Sequence, residues 1–188
     1  MRTHLVLALL LATVGGGPAL AADEGRGEPM VSVRQTSAGT YLVTAQFDVP
    51  EAGQIAWDVL TDYANIPRFV PDIRASIVHE RSNGQVRVEQ EATSKFLMFS
   101  KRVHLLLEIQ ETDDVITFRD TGRRSFAHYA GSWRITRLPE HTHIAYELTA
   151  QPSFDVPTFL VTRVLTRDAN QMIDRLRAEM ARRAADER

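Results

Sequence analysis

Histidine is the first residue type in this sequence that could do chemistry. His141 and His143 lie two positions apart in a segment with the composition of a β-strand, so both side chains point to one face at a spacing of about 7 Å. Zinc binding needs a third ligand, and the acids nearby in the sequence are Glu140 and Glu147. Because these acids do not complete a set of zinc ligands, we predict no metal site and no cofactor.

Acid and base chemistry has weaker candidates. Tyr129, Tyr146 and the adjacent His128 could donate or accept protons in a cavity, but nothing in their spacing requires it. The chain has no G-x-S-x-G nucleophile motif, no glycine-rich phosphate loop and no cysteine. We therefore predict no catalytic residue, and we favour binding over catalysis.

Two basic patches could hold an anionic head group or a phosphate. Lys101 and Arg102 begin a long strand, and Arg119, Arg123 and Arg124 lie around the end of another. Charged residues at the exposed edge of a sheet also serve solubility. The formal net charge of the chain is −2, so its composition predicts no nucleic-acid partner.

The first residues have the pattern of a secretory signal. Arg2 and His4 precede an apolar run, which is followed by small residues with Ala19 and Ala21 in an A-x-A arrangement. The apolar run is too short to span a membrane. We predict cleavage after Ala21 and a periplasmic or secreted protein, in which residues 22–30 form a flexible leader.

The middle of the chain alternates like β-strands. Residues 31–49 alternate around a turn and predict a β-hairpin, and residues 73–151 keep a period of two almost throughout, as in an antiparallel meander. Between them, residues 52–63 have an apolar face at helical spacing. A capping box of Asp48 and Glu51 is expected to begin this helix.

The last segment predicts one long helix. Asp155 is a suitable N-cap, and apolar residues from Val161 to Met180 follow at helical spacing, with arginines and acids on the other faces. A helix of roughly thirty residues is about 40 Å long. Because it cannot bury its apolar stripe alone, it must lie across the sheet.

Several motifs resemble a known family. They are the segment AWDVLTDYANIPRFVPDI at residues 56–73, the pair Gly131 and Trp133, the strand with Tyr146, and the entry to the last helix at residues 154–161. Together they are similar to the START-like superfamily, also called SRPBCC. In particular they resemble its polyketide cyclase/dehydrase and coenzyme-Q-binding branch.

The resemblance implies an α+β helix-grip fold. In this fold a curved antiparallel sheet wraps around a long C-terminal helix, and two short helices follow the first strands. The domain would cover residues 31–183, with a frayed tail at residues 184–188. Pro67 and Pro71 would limit the second short helix to about one turn, because proline lacks a donor and disfavours helix in the preceding residue.

The resemblance also implies a cavity for an apolar ligand between the sheet and the long helix. Phe69 and Val70, between the two prolines, would form a lid over one end of this cavity, or would simply plug the core. Aromatic residues on consecutive strands would line it. The predicted ligand-binding residues are Phe69, Val70, Phe118, Tyr129, Trp133, Tyr146, Val161, Leu165 and Met172.

The expected function is therefore to bind or carry a hydrophobic small molecule or lipid. An isoprenoid quinone, a sterol-like molecule or an acyl lipid would fit such a cavity, and a carrier of this kind would meet membrane surfaces transiently. An enzyme of the cyclase, dehydratase or hydrolase type could use the same cavity. A protein with a solid core could instead serve as an interaction module. Export separates the chain from a cytoplasmic polyketide carrier, which favours binding.

Overall fold

A computed structural model describes residues 27–37, 39–96, 99–153 and 157–187. The predicted signal peptide lies outside these residues, as does most of the predicted leader. Cleavage after Ala21 and export therefore stay predictions.

Within the described ranges the chain forms eight β-strands, three α-helices and one 3-10 turn. The strands are β1 (Met30–Ser37), β2 (Thr40–Val49), β3 (Ile73–Ser82), β4 (Gln85–Phe96), β5 (Phe99–Thr112), β6 (Val115–Asp120), β7 (Phe126–Arg137) and β8 (Thr142–Pro152). The helices are α1 (Gly53–Leu60), α2 (Ile66–Phe69) and α3 (Thr158–Asp186), and the 3-10 turn covers Tyr63–Asn65. As predicted, α2 is a single turn.

The eight strands form one antiparallel sheet in the order β1-β2-β8-β7-β6-β5-β4-β3. Strands β3 to β8 are a meander, because each pairs with the next strand in the sequence. The hairpin of β1 and β2 joins them through the pairing of β2 with β8, so the edge strands are β1 and β3. With α3 packed on this sheet, the predicted helix-grip fold is confirmed.

The sheet has an apolar inner face and a more polar outer face. On β2, the alternate residues Tyr41, Val43, Ala45, Phe47 and Val49 are almost fully buried, and the residues between them are more exposed. Because paired residues in a sheet point to the same face, their partners on β8 are buried as well. The inner face is the one that α3 covers.

Helix α1 begins later than the sequence predicted. Its N-cap is Ala52, which makes no side-chain cap hydrogen bond, so the predicted capping box of Asp48 and Glu51 is wrong. Strand β2 runs on to Val49, and the Asp48 carboxylate instead pairs with Nδ1 of His143 on β8 at 2.7 Å. Strand pairing thus decides where Asp48 points, because its outward position is directly opposite that of His143.

Helix α3 is 29 residues long, which corresponds to about 43 Å. Its N-cap is Pro157, and the predicted cap Asp155 falls outside the described residues. The helix continues to Asp186, so residues 184–186, which were predicted to fray, are helical. It packs closest to β1, β2 and α1, and also reaches β4 and α2. Among the described residues, no helix combines the length and apolarity needed to cross a bilayer.

A network of ion pairs holds the C-terminal end of α3 against the segment between α1 and α2. The Arg183 guanidinium contacts the Asp62 carboxylate at 2.6 Å and donates to the Asp58 carbonyl oxygen at 3.3 Å. The Glu179 carboxylate accepts from Arg182 and Arg183, each at 2.8 Å. These bonds satisfy a carboxylate that is almost fully buried and would be costly to leave unpaired. We call these five residues the C-terminal clasp.

We expect the C-terminal clasp to stabilise the folded state at neutral pH and to lose this effect in acid. Hydrogen bonds from Arg182 and then Arg183 lower the pKa of Glu179 from 4.5 to about 2, although burial opposes them. A carboxyl group whose pKa is lowered on folding stabilises the folded state above its usual pKa, and this contribution is lost as the pH falls towards about 2. We expect Glu179→Gln to lower the free energy of unfolding by about 1 to 3 kcal/mol near neutral pH and to flatten its acid dependence.

Urea unfolding measured between about pH 2 and pH 7 tests this prediction. Glu187→Gln is the matched control, because Glu187 is exposed at the end of the same helix. This control should behave as wild type. An acid dependence of Glu179→Gln that is as steep as that of wild type would contradict the role given to the clasp.

Candidate functional site

Five aromatic side chains meet on the inner face of β6, β7 and β8. The Trp133 and Tyr146 ring centroids are 4.2 Å apart, and those of Phe126 and Tyr129 are 4.9 Å apart. Phe118 joins the two pairs, because its ring lies 5.9 Å from that of Tyr129 and 6.4 Å from that of Tyr146. We call these five residues the aromatic cluster. The structure thus brings together the four aromatic strand residues predicted from the sequence.

Phe126 is the member that the sequence analysis missed. Strict alternation along β7 from Tyr129 would turn Phe126 to the outer face. The register between β7 and β8 shifts between Phe126 and His128, and this irregularity directs the buried Phe126 ring inwards. A bulge of this kind leaves little signal in a single sequence.

Gly131 lies beneath the cluster and allows its rings to approach the sheet. It pairs with Phe118 on one side and Leu148 on the other. A Cβ atom at this position would lie 2.7 Å from Cζ of Phe118 and would also collide with the Glu147 carbonyl oxygen. The absence of a side chain is therefore what lets the Phe118 ring lie across β7.

The pKa values of the Tyr129 and Tyr146 phenols are both raised. Burial raises the pKa of Tyr129 to about 12; the hydrogen bond with Tyr146 acts in the opposite direction, and the charge of Asp120 adds to the rise. Burial and the neighbouring Tyr129 raise the pKa of Tyr146 well above its usual value. Both phenols are therefore neutral at physiological pH and serve as hydrogen-bond donors, not as bases.

Asp120 is a buried charged residue that adds to the rise in the pKa of Tyr129. It ends β6, and its carboxylate accepts hydrogen bonds from the backbone N–H groups of Leu106, Gly122 and Arg123, at 2.8, 3.0 and 3.0 Å. These bonds shape the turn between β6 and β7, in which Arg123 has a φ of 49°. The carboxylate is thus held in place as a fixed negative charge beside the aromatic cluster.

The middle of the inner face keeps accessible surface. Phe118, Tyr129 and Trp133 lie on the inner face of the sheet but are only partly buried, whereas Ile135 and Ile144 near the ends of their strands are fully buried. A side chain that points inwards and still has accessible surface borders open space instead of packed atoms. The geometry therefore indicates a candidate chamber over the aromatic cluster.

The side of α3 that faces the sheet also has both fully buried and partly buried side chains. Ala169 and Ile173 are buried in the hydrophobic core, whereas the predicted residues Leu165 and Met172 pack against that core and are only partly buried. We include these two side chains in the candidate site because they are apolar, partly buried and packed against the core. Val161, near the start of α3, is buried.

Phe69 and Val70 lie at the other end, next to the clasp. The Phe69 ring is partly buried against the core, and the Arg183 guanidinium carbon lies 5.8 Å from the ring centroid. Val70 is buried. This position, at the C-terminal end of α3, is compatible with both roles considered from the sequence, and the lid stays a prediction.

The histidines named in the sequence analysis as candidates for chemistry, His128, His141 and His143, lie away from the aromatic cluster. His128 is exposed on the outer face of β7, so the idea that it works with Tyr129 as an acid or base is wrong. His141 and His143 both approach Asp48, at 3.8 and 2.7 Å. The sequence analysis missed Asp48 because only strand pairing brings it near. Among the described residues, no group of three or more His, Asp or Glu side chains has the geometry of a metal site.

The outer face carries a separate groove of about 710 Å³. Its lining consists mainly of outward-pointing polar side chains, including Arg87, Glu108 and Arg119. Glu108 lies between the two arginines, 3.9 Å from Arg87 and 2.6 Å from Arg119. Arg119, proposed from the sequence as part of a basic patch, is therefore already paired with an acid.

The fold and its apolar inner face define a START-like helix-grip protein. Residues 54–177 match the profile of the family described as polyketide cyclase / dehydrase and lipid transport. The chain belongs to this family. No curated protein matches the chain.

Several solved structures have the same fold. The Zhui aromatase/cyclase from a Streptomyces species is 15% identical, with a TM-score of 0.68 over 77% of this chain and 96% of that chain. A STAR-related lipid transfer protein from Xanthomonas axonopodis is 14% identical, with a TM-score of 0.59 over 80% of this chain and 98% of that chain. Human STARD10 is 11% identical, with a TM-score of 0.62 over 80% of this chain and 73% of that chain. At these identities the likeness shows the fold alone.

The position of Gly131 yields a prediction about packing. We expect Gly131→Ala to lower the free energy of unfolding by about 1 to 3 kcal/mol, because the new methyl group collides with the Phe118 ring and the Glu147 carbonyl. Thermal or urea unfolding measures the change. Ser132→Ala, at the next position and on the outer face, is the control and should stay close to wild type. Equal stability of the two variants would contradict the close approach of Phe118 to β7.

Proposed function

We propose that this protein binds and carries a hydrophobic small molecule in the chamber between the middle strands and α3. The observation that supports this most directly is the partial burial of Phe118, Tyr129 and Trp133, which point inwards but keep accessible surface. Leu165 and Met172 on α3 supply an apolar wall on the other side. Carriage outside the cytoplasm is part of the proposal, and the signal-like pattern of residues 1–21 supports it.

Desolvation would provide the affinity. A ligand that transfers about 300 Å² of apolar surface out of water would gain roughly 7 kcal/mol, before the costs of ordering are subtracted. Aromatic walls suit this role, because their rings offer large apolar contact areas with little rotamer freedom to lose. An isoprenoid quinone, a sterol-like molecule or an acyl lipid would present enough apolar surface.

An enzyme of the cyclase type is the second candidate. Its support is the pair of neutral hydroxyls on Tyr129 and Tyr146, which can donate hydrogen bonds to a carbonyl, and a neighbour in fold is named as an aromatase/cyclase. A proton-abstracting step would also need a base. The tyrosines are too weakly acidic to supply a phenolate, and His128 lies on the outer face. We therefore favour carriage.

Native mass spectrometry of the protein purified from its own host tests the proposal. We expect a bound lipid that is released by denaturation, and Met172→Trp should reduce its occupancy several-fold, because the larger ring would occupy accessible space beside the cluster. Gln171→Trp is the control, because residue 171 is exposed on α3. A wild-type protein that carries no ligand and takes up none from lipid vesicles would contradict carriage. Chemical conversion of the bound molecule would favour the enzyme.

We also propose that the protein meets membranes with the end of the sheet from which α3 starts. Phe159, in the first turn of α3, is the most exposed large apolar side chain among the described residues, at 71%. Arg123 and Arg124 are exposed in the turn between β6 and β7. The Ser125 carbonyl accepts from the Ser153 N–H at 3.1 Å, so this turn lies beside the end of β8. An exposed aromatic side chain together with basic side chains fits an anionic lipid surface.

Sedimentation with phosphatidylcholine vesicles, with and without phosphatidylglycerol, tests this contact. We expect Phe159→Ser to weaken vesicle binding several-fold without changing thermal stability, because the side chain is exposed. Replacing Arg123 and Arg124 by Gln should remove most of the dependence on phosphatidylglycerol and on salt. Leu138→Ser, exposed between β7 and β8, is the control. Vesicle binding by Phe159→Ser that equals wild type would contradict the proposed orientation.

A further inference from the structure

Strand β3 is an edge of the sheet and exposes apolar side chains on both of its faces. It pairs with β4 on one side, and no described strand pairs with its other side. Ile77 points to the outer face with its partner Glu89 and is 54% exposed. Val78 points to the inner face with its partner Val88 and is 36% exposed. An open edge with exposed apolar residues can pair with the strand of another chain.

Two charged residues of β3 already have partners within the chain. Nε2 of His79 contacts the Glu89 carboxylate at 2.8 Å on the outer face. The Arg81 guanidinium contacts the Glu111 carboxylate at 2.8 Å. These two side chains are therefore engaged in the sheet of their own chain.

Arg74 and Glu80 are the other charged residues of β3, and neither forms an ion pair with a described residue. Arg74 donates a hydrogen bond to the neutral hydroxyl of Thr93 at 3.2 Å. Glu80 lies opposite Arg87, but the Arg87 guanidinium instead approaches Glu108, at 3.9 Å. The edge strand thus carries one cation and one anion that lack an opposite charge.

The faces to which the side chains of β3 point are symmetric about Ile77. The register with β4 shifts between Ile73 and Ala75 and again between Val78 and Glu80, so β3 has one extra residue at each place. Residues at equal distances from Ile77 therefore share a face. The pairs are Ser76 with Val78 on the inner face, and Ala75 with His79 and Arg74 with Glu80 on the outer face.

This symmetry fits antiparallel pairing with an identical strand. Residues directly opposite each other in an antiparallel pair point to the same face. A two-fold axis at Ile77 would meet this requirement, and it would place Arg74 of each copy opposite Glu80 of the other. Charges on an edge strand usually keep chains apart, but here the pattern of charge is complementary to itself.

We propose that β3 is a dimerisation edge, at which two copies of this chain pair antiparallel about a two-fold axis at Ile77. The pairing joins two eight-stranded sheets and covers Ile77 and Val78 of both copies. Contact through one strand is smaller than a standard protein interface, so the dimer is reversible and depends on concentration. This inference does not depend on the proposed carrier function.

Sedimentation velocity of the protein purified from its own host, at micromolar to millimolar concentration, tests the role of the charges. We expect wild type to dimerise and Arg74→Glu to weaken the dimer about tenfold, because both symmetric ion pairs become repulsive. Adding Glu80→Arg to Arg74→Glu should restore the dimer. Arg34→Glu, exposed on the other edge strand β1, is the matched control and should dimerise as wild type does.

Cysteine cross-linking tests the register, because the chain contains no cysteine. In Ile77→Cys the two thiols would lie opposite each other, with Cα atoms about 4.5 to 5.5 Å apart, which a disulfide can bridge. In the control Ala75→Cys, on the same face of the same strand, they would be about 13 Å apart. We expect mild oxidation to cross-link Ile77→Cys at least about tenfold faster than Ala75→Cys.

Thermal unfolding verifies that each variant is folded. A wild-type protein that stays monomeric at every concentration would overturn the proposal, as would a dimer that Arg74→Glu leaves unchanged. Equal cross-linking of Ile77→Cys and Ala75→Cys would also overturn it. Faster cross-linking of Ser32→Cys, at an exposed position of β1, would assign the dimer to the opposite edge of the sheet and overturn the role of β3.

Discussion

The architecture depends on a mismatch of shape between one long helix and a twisted sheet. Helix α3 runs for 29 residues, and an α-helix of this length cannot follow an eight-stranded sheet whose strands rotate against each other. It therefore packs closest to β1, β2 and α1. The clasp of Arg183 with Asp62 and Glu179 secures its C-terminal end. Over the middle strands, Phe118, Tyr129 and Trp133 pack against the core and are only partly buried.

The middle strands combine their largest side chains with their smallest. Gly131 lies between Phe118 and Leu148 in one row of the sheet, and the aromatic rings gather above it. A larger residue at this position would force the Phe118 ring away from the sheet. The packing of the aromatic cluster thus depends on the missing side chain of Gly131.

Polar groups are divided between the two ends and the centre of the inner face. The clasp and the Arg81–Glu111 pair neutralise charges where helices meet the sheet, so their contribution is to stability and orientation. At the centre, the hydroxyls of Tyr129 and Tyr146 are neutral, and they can form directional hydrogen bonds without adding a charge. An apolar surface with a few fixed polar groups is the usual form of a small-molecule site.

The sequence by itself determined most of the elements, because the periods of two and 3.6 are local properties. Alternation divided the residues of each strand between two faces, and the resemblance to the family predicted that Phe118, Tyr129, Trp133 and Tyr146 face inwards. The tertiary structure alone decided which side chains touch. A bulge turned Phe126 inwards, and strand pairing drew Asp48 to His143 and away from the start of α1. The gathering of the aromatic rings likewise requires the register of three strands, which arises only when distant parts of the chain pair.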